Sequence, residues 1–218
     1  MRVLSPQTKC CRKPWKSACV GAMALLLSFG AGQAVGQEFV GFRYRGDKCV
    51  NEAGEEGYNP GYVGACGGLR ARDLRDANLV GVDLSGADMH GARARSIKLK
   101  DAILVGTVLR TAELEAADLR GADLTNAVMD RVNLRLADLT RATLFDASLD
   151  RADLEGAILR DADLSRADLR RADLRGADLS YANLTRTNLR GAMFNDRTVF
   201  PANLPARQAM SRGMVYRP

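Results

Sequence analysis

The side chains able to do chemistry are few in type and regular in place. The thiols are Cys10, Cys11, Cys19, Cys49 and Cys66, the one imidazole is His90, and aspartates and arginines recur at multiples of five residues. A structural zinc site takes four nitrogen or sulfur ligands, more than His90 with the two isolated cysteines Cys49 and Cys66 supplies. Calcium takes six or more oxygens. Asp118 with Asp138, and Asp73 with Asp153 and Asp173, form single rows that offer fewer. Catalysis needs a nucleophile and an acid–base partner converging in one concavity, and no phosphate loop or hydrolase elbow occurs in the chain. No metal, cofactor or enzymatic centre is therefore expected. What these side chains can do is recognise a partner, and where they face depends on the element beneath them.

That element is set by leucine. Leucine holds 21 of the 25 central positions spaced by five from Leu74 to Phe194, the exceptions being Met89, Ala94, Met129 and Phe194. On an α-helix a step of five turns about 500°, so no apolar face forms. On a flat strand an odd step sends successive leucines to opposite faces. Yet alanine sits two residues before the centre in 19 of the 25 frames, on the leucine's own side. Each five-residue unit must therefore turn a corner. Asp or Asn precedes the centre in 15 frames, and glycine takes the second place after it in eight, as at Gly81, Gly121, Gly156 and Gly191. These are turn residues. Three extended residues span about 10 Å, so four sides enclose a square that four leucines fill. Twenty residues make one coil, and about six coils stack at about 4.8 Å. The core is thinnest at Ala94, where Ile97 replaces the usual alanine and is expected to refill the gap by local repacking.

Runs such as Ala117-Asp118-Leu119-Arg120-Gly121 and Ala177-Asp178-Leu179-Ser180-Tyr181 resemble the pentapeptide-repeat family. The resemblance implies an all-β solenoid, a right-handed four-sided β-helix, over residues 69 to 199. It also implies a non-catalytic scaffold, since the best understood members imitate DNA and bind type II topoisomerases.

The ends carry information of a different kind. Residues 1–36 hold five basic side chains (Arg2, Lys9, Arg12, Lys13, Lys16), no acid, and an apolar stretch from Ala18 to Phe29. This reads as a signal peptide cleaved before Gln37 or after Ala34. The stretch is shorter than the roughly 20 residues of a membrane span. Export would place the mature chain in a periplasm or outside the cell, with no transmembrane span. The whole chain has 32 basic and 26 acidic residues, a net +6. Removing five basic residues leaves 27 against 26, so no whole-surface attraction for nucleic acid remains. The mature chain would keep Cys49 and Cys66, an even number in an oxidising compartment, and they are expected to pair. Such a disulfide contributes roughly 3 kcal/mol. Residues 37–68, rich in glycine and aromatics, are expected to form an N-terminal cap pinned by that disulfide, because an open solenoid end exposes leucines and strand edges. Residues 200–218, with Pro205 before and Gly213 after a short helical stretch, are expected to form a C-terminal helical cap.

Side chains twenty residues apart should stack in outer columns. One column holds Arg131, Arg151 and Arg171, and its neighbour holds Arg110, Asp130, Asp150, Arg170 and Arg190. This ridge is a candidate contact for a protein or an acidic envelope component. Its alternative reading is a solvated corner in which Asp130 and Asp150 neutralise the arginines. A candidate apolar patch consists of Ile103, Val105, Val108 and Val128, which needs a cover or a partner. Phe145 and Ile158 are expected as isolated exposures, and Val215 and Tyr216 permit a homodimer through the C-terminal end. The leading expectation is an exported interaction scaffold. The alternative is a topoisomerase-binding DNA mimic, which export and an arginine column both oppose.

Overall fold

A computed structural model describes residues 43–45, 48–50 and 69–218. The expected signal segment, the Cys49–Cys66 pairing and the body of the N-terminal cap lie outside the described residues. Strands β1 (Arg43–Arg45) and β2 (Lys48–Val50) form an antiparallel pair, with Tyr44 opposite Cys49.

From Leu69 onward the chain winds in coils of twenty residues. Parallel bridges join residues twenty apart on all four sides, from Asp73 with Arg93 to Asp173 with Met193. On one wall, Ile103 N–H donates to Val82 O at 3.0 Å and Leu104 N–H donates to Asp123 O at 2.7 Å, so each coil is bonded to the coils below and above. The five-residue unit closes its corner by a reverse turn. The carbonyl of the central residue accepts the N–H three residues on, as Leu104 O does from Thr107 at 3.1 Å. All 25 corners from Ala71 to Gly191 have positive φ at the third turn residue, between 51° and 75°, and 17 of those residues are not glycine. Positive φ at that position is what a type II turn requires. The residue before the centre helps: Asp83 Oδ1 accepts Ser85 N–H at 2.9 Å and Asp138 Oδ1 accepts Thr140 N–H at 2.9 Å, tying the corner amide that the ladder leaves free.

The centres and the alanine positions are buried along the whole stack, giving one continuous core. Ala94 and Ile97 are both fully buried within it. Two polar residues at alanine positions are also enclosed, and each is satisfied: Thr107 Oγ1 donates to Leu84 O at 2.9 Å and Thr187 Oγ1 donates to Leu164 O at 2.8 Å.

The five-residue frame ends earlier than residue 199, the expected limit of the solenoid. Asp178 pairs with Val199, twenty-one residues on, so one residue is inserted within 195–198. The side chains of that loop replace the lost backbone partner: Gly176 N–H donates to Asn195 Oδ1 at 3.0 Å and to Thr198 Oγ1 at 3.2 Å. Strand β3 (Met193–Phe194) then pairs in parallel with β4 (Val215–Tyr216), and helix α1 (Ala206–Ser211) lies between them in sequence. Leu204, Ala209 and Met214 join the core, and Phe194 meets Phe200 and Tyr216 edge-on, with centroids 5.3 and 5.6 Å apart.

Candidate functional site

With the apolar side chains indoors, the outward positions are the residue before each centre and the two after it. Strand alternation puts the first two of these on one outer face, and a recurring pair exploits it. In Asp73-Leu74-Arg75, Asp118-Leu119-Arg120, Asp168-Leu169-Arg170 and Asp173-Leu174-Arg175 the arginine folds back on the aspartate two residues earlier. Arg75 Nε and Nη2 donate to the two Asp73 oxygens at 2.8 and 2.6 Å, a bidentate fork. The Asp-Leu-Arg triplet announces this pairing in the sequence, although a column reading overlooks it.

The triplet divides the arginine ridge. Arg110 Nε meets Asp130 at 3.1 Å, Arg151 Nε meets Asp150 at 3.7 Å, and Arg170 Nη2 meets Asp168 of its own frame at 2.7 Å. Asp130 also accepts the hydroxyl of Ser148. Among the described residues no carboxylate lies within 4.0 Å of Arg131, Arg171 or Arg190. Half of the six candidate arginines are thus neutralised where they stand, and half are exposed cations.

On the next corner the acids are closer together. Carboxylate oxygens of Asp153, Glu155 and Asp173 all lie within 4.8 Å of one another. Arginine is their counter-ion: Arg135 Nη1 is 3.6 Å from Asp153 and also bonds Glu155, while Arg175 Nη2 is 3.5 Å from Glu155 and 2.6 Å from Asp173.

These pairs lower carboxylate pKa values. The Arg75 side-chain hydrogen bond holds Asp73 at about 2, below its ordinary 3.8. The Arg120 side-chain hydrogen bond lowers Asp118. Burial alone would raise Asp173 and Asp178, but hydrogen bonds from Arg175 and from Ser180 and Arg160 outweigh it, and both are lowered. A carboxylate with a depressed native pKa binds fewer protons folded than unfolded, so its stabilisation is complete above about pH 4 and is lost as pH falls toward about 2. The melting temperature should therefore be level from pH 7 to 5 and drop between pH 4 and 2, less steeply in Asp118→Asn/Asp173→Asn. A flat profile down to pH 2 would reject this account.

The apolar candidates sit around one corner. Ile103 is 41% exposed on one wall, between Asp83 and Asp123 of the adjacent coils. Val108 and Val128 are bridged to each other on the next wall, half-buried like Val105. Phe145 is half-buried, with the Arg166 guanidinium 5.4 Å from its ring centre, and Ile158 is exposed. The two largest hydrophobic exposures among the described residues escaped the sequence reading: Leu136 at 61% and Tyr181 at 80%. Both occupy the third turn residue, where positive φ turns the side chain outward, and the glycines at other corners are the signal that such side chains have no inward route.

No curated protein matches the chain. Among solved structures, it is similar to HetL from the cyanobacterium Nostoc, a protein involved in heterocyst differentiation regulation, at 37% identity over 61% of this chain and 67% of that one, TM-score 0.30. It is also similar to a pentapeptide repeat protein from the Arabidopsis thaliana thylakoid lumen, at 32% identity over 42% and 67%, TM-score 0.36. A third is QnrB1, a plasmid-mediated fluoroquinolone resistance protein, at 20% identity over 64% and 82%, TM-score 0.30. The repeats match the family described as pentapeptide repeats in eight copies, over residues 69–101, 95–131, 130–161, 137–176 and 157–196. The chain belongs to the pentapeptide repeat family, whose members fold as right-handed four-sided β-helices and are generally structural proteins.

Proposed function

We propose that this protein is an exported, non-catalytic interaction scaffold that engages a protein or an acidic envelope component through the outer wall of its β-helix. The observation that carries this reading is the arginine ridge. Arg131 and Arg171 stand forty residues apart on one corner, with Arg151 between them, and Arg190 follows on the adjoining column. Because backbone ladders and a filled core fix the spacing of these cations, an acidic partner meets them already ordered, with little entropy lost on the protein's side. Steering by such charges is strongest at low ionic strength.

The test has two arms. Cell fractionation should recover the chain outside the cytoplasm without residues 1–36; full-length cytosolic protein would instead favour the DNA-mimic reading. Affinity capture from an envelope extract should return a partner with the native chain and lose it with Arg131→Glu/Arg151→Glu/Arg171→Glu. Such a reversal is expected to weaken capture by roughly tenfold or more. Undiminished capture by the triple variant would clear the ridge.

A further inference from the structure

Charge is unevenly distributed along the stack. Residues 69–178 carry 18 basic and 20 acidic side chains, whereas residues 179–218 carry six arginines and one acid, Asp196. The six are Arg186, Arg190, Arg197, Arg207, Arg212 and Arg217. Among the described residues none of them has a carboxylate within 4.0 Å, and Asp196 is engaged by the Tyr216 hydroxyl, which donates to its Oδ2 at 2.8 Å. The same end carries exposed apolar side chains. Helix α1 buries Ala209 and leaves Arg207, Met210 and Arg212 exposed, and β4 leaves Val215 and Tyr216 exposed beside Arg217. Gly213 O accepts the Gly191 N–H at 2.7 Å, which fixes this segment against the coil that bears Arg190.

We propose that this C-terminal end docks on the surface of an anionic phospholipid bilayer. The proposal names a partner within the envelope-contact reading but uses a different part of the surface from the ridge. Arginines draw the end to lipid phosphates, while Met210, Val215 and Tyr216 are of the size and kind that settle at the boundary between headgroups and acyl chains. Nucleic acid would use the arginines and leave the aliphatic side chains in water. A second copy docked end to end would oppose six uncompensated arginines to six more, and like charges face to face repel. Described helices include none long and apolar enough to cross a membrane, so contact would be at the surface.

The experiment is co-sedimentation of the mature chain, Gln37 to Pro218, with vesicles of phosphatidylcholine alone or mixed with phosphatidylglycerol, so that neither the basic N-terminus nor the apolar stretch from Ala18 to Phe29 contributes. Binding should favour the phosphatidylglycerol vesicles by tenfold or more, and the preference should vanish between about 0.1 M and about 1 M salt, as the screening length falls from about 10 Å to about 3 Å. Arg207→Glu/Arg212→Glu/Arg217→Glu should lower the affinity on the order of a hundredfold. The ridge variant Arg131→Glu/Arg151→Glu/Arg171→Glu should retain most of it, which separates failure here from failure of the ridge. Equal binding to both vesicle types, or a triple C-terminal variant that binds as well as its parent, overturns the proposal. So does a chain that ignores vesicles while sedimenting as a dimer or binding DNA.

Discussion

Ile97→Ala is expected to lower stability by about 4 kcal/mol, within the range for opening an unfilled cavity in a rigid core, whereas Ala172→Gly should cost about 1 kcal/mol. The difference comes from what surrounds each site. Ala94 stands at a centre that leucine fills in neighbouring coils, and it is fully buried there. Ile97, also fully buried, occupies the next inward position, which alanine holds in most frames. The isoleucine is expected to supply the volume that Ala94 lacks. Truncating it would leave two alanines side by side in a column whose backbone is held by hydrogen bonds such as Ile97 N–H to Ala94 O at 3.3 Å and Asp118 N–H to Ile97 O at 2.9 Å. Such a frame relaxes little, so the cavity stays open. Restoring volume across the gap should repair the loss: Ala94→Leu/Ile97→Ala, which returns both positions to the repeat pattern, should recover most of it. Chemical denaturation of the four proteins measures this directly. Equal shifts for Ile97→Ala and Ala172→Gly would show that the two positions are not compensating.

The burial of both positions was legible in the residues because a filled solenoid converts a linear period into a packing rule. Whatever stands at a centre must touch the residues twenty before and twenty after it, so Met89 and Met129 can be placed in the core as securely as any leucine. The same rule placed Ile103, Val108 and Val128 outside. It could not say how the charges on the walls would pair, because side chains on one wall have two kinds of neighbour: the coil above and below, and the residue two along the same strand. The columns suggested Asp150 as the counter-ion of the arginines around it, and Arg151 does adopt it. Arg170 pairs instead with Asp168, two residues back along its own strand face. The end of the stack escaped for a related reason. Periodicity has nothing to say once it stops, so the inserted residue within 195–198 is visible only where Asn195 and Thr198 take over the bonds of a missing rung.

Corners carry the second large effect, and here the sequence understated the demand. Glycine stands at only eight corners, yet the backbone adopts positive φ at all 25. A left-handed residue with a Cβ costs roughly 1–2 kcal/mol relative to glycine, less for Asp and Asn. Leu136, with φ 57°, is among the poorest occupants, and it also exposes an isobutyl group to water. Leu136→Gly should therefore raise stability by about 1 kcal/mol. Gly156, one coil above with φ 68°, is its counterpart: a Cβ there would lie 2.9 Å from Leu136 Cδ2. Gly156→Val combines that contact with a β-branched residue in the left-handed region, and its cost should reach about 3 kcal/mol. The two substitutions should not add. With Leu136 removed the steric part of the Gly156→Val penalty disappears and only the backbone part remains, so the double variant should be more stable than the sum of its parts by about 1 kcal/mol. Arg131, Arg151 and Arg171 pay the same backbone cost at their own corners, with φ 56°, 57° and 56°. If Leu136→Gly stabilises while Arg131→Gly and Arg171→Gly do so by a similar amount, the ridge is held in place against a measurable conformational preference. Loss of captured partner in those stabilised arginine variants would then assign the strain to recognition, whereas undiminished capture would leave the arginines as mere occupants of the turn.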